Sequence, residues 1–117
     1  MITIQHEGSL TVVGVFAKFE LADYKRFEEE VLRQLGKLGK VNLLVDLRDM
    51  LGYTLDAALE DIRFSRRHAH DVGRIAILSD NDAVGWTALL ARLFMDAEIR
   101  VFDSEVEARQ WLDQERR

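Results

Sequence analysis

Apolar and polar positions along the chain recur with two different periods, and the changes between them mark out the elements. Ile2-Thr3-Ile4 and Leu10-Thr11-Val12-Val13-Gly14-Val15-Phe16 are strand-like runs around Glu7-Gly8-Ser9, which predicts an antiparallel hairpin. After Lys18-Phe19-Glu20 the period lengthens. Tyr24, Phe27, Val31, Leu35 and Leu38 recur at helical spacing while Lys25, Glu29, Glu30 and Arg33 face away, giving an amphipathic helix from about Asp23 to Leu35, with Asp23 as N-cap and Gly36 or Gly39 as its stop. Val41-Asn42-Leu43-Leu44-Val45-Asp46-Leu47 is apolar almost throughout, the mark of a strand buried on both faces in the middle of a sheet. A second helix is expected from about Leu55 to Asp71, with Thr54 as N-cap and Gly73 ending it. Arg74 to Ser79 reads as another buried strand, and Asp80-Asn81-Asp82 supplies N-caps for a third helix from Ala83 to Met95. Glu98-Ile99-Arg100-Val101-Phe102 alternates, as a strand near an edge does. Ser104 with Glu107 has the capping-box spacing for a final helix whose apolar face is Ala108, Trp111 and Leu112.

The predicted order is β-β-α-β-α-β-α-β-α. It describes an α/β fold with a mixed, mostly parallel sheet of about five strands, an N-terminal antiparallel hairpin and four helices joined by right-handed crossovers. At 117 residues this is one domain. Hydrophobic residues make up 48% and charged residues 32%, a balance that belongs to a packed globule. The 16 basic and 21 acidic residues leave a charge of −5, which repels a phosphate backbone, so nucleic acid is not an expected partner. The absence of Cys removes disulfides, thiolate catalysis and Cys-based metal sites, and fits a cytoplasmic protein. The first residues lack the basic and apolar regions of a secretory leader. The apolar stretch from Ala83 to Met95 is interrupted by Arg92 and is too short for a bilayer of roughly 30 Å, so membrane contact is peripheral at most.

Candidate chemistry gathers first at the carboxyl end of the central strand, where open α/β sheets place their sites. The segment from Asp46 to Thr54 is expected to be a loop there, carrying Asp46, Asp49, Tyr53 and Thr54. The two carboxylates suit acid–base work; equally, Asp46 suits an ion pair with Arg48 or Arg74, and Asp49 a turn cap. No Gly-rich phosphate loop, G-x-S-x-G or other catalytic spacing is present, and neither a cofactor nor a metal is expected. The second helix carries Arg63, Arg66 and Arg67, with Phe64 on its outer side, a combination suited to a partner surface or an anionic headgroup. The third helix is apolar around most of its circumference. Trp86, Leu90 and Phe94 exceed what one sheet face needs, so a second subunit, a bound amphiphile or neighbouring helices must cover the surplus.

The order of elements, the strand ending Leu44-Val45-Asp46-Leu47-Arg48-Asp49, the strand Arg74-Ile75-Ala76-Ile77, and the close from Ile99-Arg100-Val101-Phe102-Asp103 to Ala108-Arg109-Gln110-Trp111-Leu112 resemble the SpoIIAA-like group of the STAS superfamily, often labelled STAS/SEC14-like. The resemblance covers nearly the whole chain and implies a non-catalytic switch module. In the anti-sigma antagonists of that superfamily a Ser or Thr after the central strand, within an Asp-Ser or Asp-Thr and Ser-Gly setting, is phosphorylated by a partner kinase. This chain reads Asp46-Leu47-Arg48-Asp49-Met50-Leu51-Gly52-Tyr53-Thr54 instead, with Thr54 as the one hydroxyl near that place. The SEC14 side of the resemblance implies an apolar ligand enclosed by sheet and helices. The expected function is therefore a binding or regulatory module acting through protein contact as a homodimer. The alternative is a carrier of a small amphiphile held between the sheet and the second and third helices, its acidic head meeting Arg63, Arg66 or Arg67. An enzyme using Asp46 and Asp49 stands third.

Overall fold

The computed structural model describes residues 1–53, 72–80 and 97–114. They form β1 (Ile2–Glu7), β2 (Leu10–Phe19), α1 (Leu21–Leu38), β3 (Val41–Tyr53), β4 (Val72–Leu78), β5 (Glu98–Phe102) and α2 (Glu105–Gln114). β1 and β2 make the predicted hairpin, and Gly8 at its turn takes a left-handed φ of 63° that a side chain would resist. The five strands lie in the order β1-β2-β3-β4-β5, with every pairing after the hairpin parallel. Two helices stand among the described residues where the sequence predicted four. The predicted second and third helices, Leu55 to Asp71 and Ala83 to Met95, lie outside them.

Strand alternation divides the apolar residues between the two sheet faces. Val13, Val15, Leu43, Val45, Ile75 and Ile77 share one buried cluster with Tyr24, Phe27, Val31 and Leu35 of α1. Leu10, Leu44, Ala76 and Leu78 share the other with Ala108, Trp111 and Leu112 of α2. β3 and β4 contribute to both through Leu43-Leu44-Val45 and Ile75-Ala76-Ile77-Leu78, which is why those two stretches run apolar.

Several boundaries differ from the sequence reading. α1 begins at Leu21 with Glu20 as N-cap, not at Asp23. The Asp23 carboxylate instead reaches back to accept the Glu20 backbone N–H at 3.0 Å, the return bond of a capping box. Gly36 lies within α1, and Gly39 ends it in a left-handed conformation (φ 78°), its N–H donating to Leu35 O at 2.8 Å. Gly73, expected to end the second helix, lies within β4.

The largest departure is in β3. The expected loop after Leu47 is strand as far as Tyr53. β3 stays paired with β2 up to Phe19↔Tyr53, but with β4 only up to Asp46↔Leu78, so a two-stranded parallel ribbon projects past the sheet. Two register shifts occur along the β2–β3 pairing. Gly14↔Asp46 is followed by Phe16↔Asp49, and Ala17↔Met50 by Lys18↔Gly52, so β3 carries an extra residue each time. The second extra residue is Leu51, whose side chain stands 85% exposed. Opposite it Ala17 adopts a left-handed φ of 52°.

Candidate functional site

The first bulge builds the principal polar feature of the sheet's carboxyl end. An extra residue in a strand leaves a backbone N–H without its ladder partner. At Arg48 that N–H is taken by Asp46 Oδ1 at 3.0 Å. The Arg48 guanidinium then closes on the same carboxylate, Nε donating to Oδ1 at 3.1 Å and Nη2 to Oδ2 at 2.9 Å. A similar device recurs on the other side of β3, where Val41↔Val72 is followed by Leu43↔Ile75 and β4 holds the extra residue. There the side chain of buried Asn42 accepts the freed Arg74 N–H through Oδ1 at 2.9 Å.

From Arg48 the charges continue across α2. Nη2 also donates to Glu105 Oε1 at 3.2 Å. Glu105 Oε2 accepts from Arg109 Nε at 3.0 Å, the i,i+4 spacing of a helix surface. Arg109 reaches the hairpin turn, Nη1 and Nη2 donating to the two oxygens of Glu7 at 3.0 and 3.4 Å. The result is a row of alternating sign, Asp46, Arg48, Glu105, Arg109 and Glu7, tying β3 and the hairpin to α2. Partial burial pushes the Asp46 carboxyl up, but the Arg48 hydrogen bonds and the guanidinium charge outweigh it and hold the carboxyl below its ordinary value. Hydrogen bonds to Glu7 and Glu105 raise Arg109 in turn. Because the row faces water, each pair contributes about 0.2–1 kcal/mol. A groove of about 330 Å³ opens beside the Arg109 end, between Leu10, Asn42, Leu112 and Asp113.

Toward β5, α2 is held by aromatic and cationic contacts. The Arg74 guanidinium lies 4.7 Å from the Trp111 ring centroid and donates through Nη1 to Trp111 O at 2.7 Å. Arg74 also pairs with Glu98 at 3.3 Å. Arg100 sits 5.7 Å from both the Trp111 and Phe102 rings, which are 5.6 Å apart.

Of the residues singled out from sequence, Asp46 falls at this site and is engaged by Arg48, not Arg74. Asp49 is paired in the ribbon opposite Phe16 rather than capping a turn, and Tyr53 closes β3 opposite Phe19. Thr54, Arg63, Phe64, Arg66, Arg67, Trp86, Leu90 and Phe94 lie outside the described residues. Glu7, Glu105 and Arg109 were not anticipated; only the i,i+4 spacing of Glu105 and Arg109 was visible in the sequence. Among the described residues no three His, Asp or Glu side chains gather as metal ligands would.

The SpoIIAA-like family model matches residues 10–113. No curated protein matches the chain. Among solved structures, it is similar to an uncharacterized protein with a SpoIIAA-like fold from Shewanella loihica PV-4, with 22% identity, 96% of this chain and 92% of that one covered, and a TM-score of 0.69. The unphosphorylated anti-sigma factor antagonist SpoIIAA covers 99% of this chain and 98% of its own at 10% identity and a TM-score of 0.62. An anti-sigma factor antagonist from Mycobacterium paratuberculosis matches at 12% identity over 97% and 93%, with a TM-score of 0.55. At these identities the likeness is one of fold.

Proposed function

Since this chain belongs to the SpoIIAA-like family, we propose that it is a regulatory binding module that acts through protein–protein contact rather than catalysis, as a homodimer in the cytoplasm. The observation that carries this reading is that Asp46, Arg48 and Glu105 at the sheet's carboxyl end are engaged with one another. A general base needs a free lone pair within reach of a substrate proton. Asp46 instead accepts three hydrogen bonds from Arg48 alone. What remains is a surface of fixed, alternating charge, the kind that selects a partner by complementarity. Two structural neighbours are anti-sigma factor antagonists by name, and an antagonist of a protein factor acts on protein. No described helix is long and apolar enough to cross a membrane.

The apolar surplus between Ala83 and Met95 supports self-association and, as a second reading, an amphiphile held against the sheet with its head at Arg63, Arg66 or Arg67. Native mass spectrometry separates the two. The expected spectrum shows twice the 13.5 kDa chain with no added mass. A monomer carrying a retained small molecule would replace the contact module by a carrier. Without the Asp-Ser or Asp-Thr and Ser-Gly setting, Thr54 is expected to stay unmodified when the protein is incubated with a cell lysate and ATP. Phosphate on Thr54 in a peptide mass map would reinstate a phosphorylation switch.

A further inference from the structure

We propose that the outer edge of β5 is the surface through which two copies of this chain meet, joining their sheets antiparallel about a twofold axis at Ile99. This rests on the reading of the protein as a self-associating module and adds where the contact lies. The sheet has two edges. Over β1 the Arg26 side chain reaches from α1 to donate to the Ile2 carbonyl at 3.2 Å, closing part of that edge. Among the described residues, no strand pairs with the outer side of β5.

Backbone direction follows from one hydrogen bond. Phe102 O accepts the Ser79 N–H at 2.9 Å, so the Phe102 carbonyl points toward β4. By strand alternation Arg100 and Glu98 point the same way, which leaves the N–H and C=O of Ile99 and Val101 facing outward. Val101 is 48% exposed and the Glu98 side chain 60%. Such an edge is a template for another strand.

Charge and register select the occupant. A twofold axis perpendicular to the joined sheets keeps each face with its own face, so odd residues oppose odd and even oppose even. Centring the axis on Arg100 sets that cation against its own copy. Centring it on Val101 brings Ile99 against Asp103 and leaves Glu98 outside. Centring it on Ile99 sets Glu98 against Arg100 twice over, at the non-hydrogen-bonded positions where side chains lie closest. The outward groups of Ile99 then bond to their own copies, and Val101 packs against Ala97 of the second copy. An edge this short makes a small contact, so association is reversible and concentration-dependent.

Sedimentation equilibrium of the full chain tests the assignment. The Val101 N–H faces outward, so Val101→Pro removes a cross-edge bond and none to β4. Wild type should approach twice 13.5 kDa with rising concentration, and Val101→Pro should stay at 13.5 kDa with an unchanged circular-dichroism spectrum. Glu98→Arg or Arg100→Glu alone should weaken association by about tenfold or more, and the double swap should restore it. A dimer indifferent to Val101→Pro and to the swaps, yet dissociated by Trp86→Glu, would overturn the edge while leaving self-association standing. A wild type that remains monomeric at every concentration would overturn both.

Discussion

Single side chains in this protein complete backbone hydrogen bonding that the strands leave open. Asn42 and Asp46 each accept an N–H freed by a β-bulge, at Arg74 and Arg48. Asn42 is buried, so Asn42→Ala should cost about 1–3 kcal/mol, the penalty for an unpaired buried donor, read as a lower urea midpoint. A loss no larger than that of an exposed Asn→Ala change would show that water replaces the side chain. Asp46→Asn keeps an acceptor for the Arg48 N–H but loses the charge. The Asp46 carboxyl is held below its ordinary value in the folded chain, so its contribution is present above about pH 4 and is lost as pH falls through the lowered value. Stability of Asp46→Asn should therefore fall less steeply than wild type between about pH 5 and about pH 2. Parallel acid limbs for the two proteins would remove Asp46 from the account. Ala17 is the one described non-glycine residue with a left-handed φ, a conformation costing an L-residue about 1–2 kcal/mol. Ala17→Gly should relieve it and raise stability by up to about 1 kcal/mol after the entropy of the unfolded chain is subtracted; a fall in stability would show that the methyl packs usefully.

At the scale of elements, the strands and helices whose signal is burial were legible and those whose signal is pairing were not. β4 and α2 follow the predicted apolar positions because their apolar side chains are buried, whereas β5 buries no residue fully and carries Val101 at 48% exposure. α2 starts where Ser104 predicted, its hydroxyl accepting the Glu107 N–H at 3.4 Å. The ribbon half of β3 escaped notice for a physical reason. Arg48, Asp49 and Leu51 are exposed, so no apolar alternation marks them, and a bulge is a property of two strands in register that neither sequence carries alone. Gly73 misled for the same reason, since a glycine at a bulge in β4 and a glycine after a helix look alike in one dimension. The ion row was hidden by distance: Arg48 and Glu105 are 57 residues apart, and Arg109 and Glu7 are 102 apart. Trp111 is the residue on which α2 turns, being buried at 6% exposure and flanked by Arg74, Arg100 and Phe102. Trp111→Ala should cost about 3–5 kcal/mol in equilibrium unfolding; a smaller loss would mean that the ion row alone holds the helix.

For the whole molecule, one sheet serves two cores. Residues of β3 alternate between the α1 face (Leu43, Val45) and the α2 face (Leu44), and β4 does the same through Ile75, Ile77 and then Ala76, Leu78. A strand cannot release one face and keep the other, because both sets of side chains hang from the same hydrogen-bonded backbone. The two faces should therefore unfold together in a single transition. Val31 on α1 is fully buried on one face, and Trp111 is buried on the other. In a Trp86→Phe background, where Trp111 is the remaining tryptophan, Val31→Ala should lower the urea midpoint seen by fluorescence and the midpoint seen by circular dichroism by the same amount. Removing two methyl groups from a packed site is worth roughly 1–3 kcal/mol, well above the scatter of such curves. Fluorescence that ignored Val31→Ala while circular dichroism shifted would mean that α2 and its face melt as a separate unit. In that case the alternating row from Asp46 to Glu7 would be a hinge between two bodies rather than a brace within one.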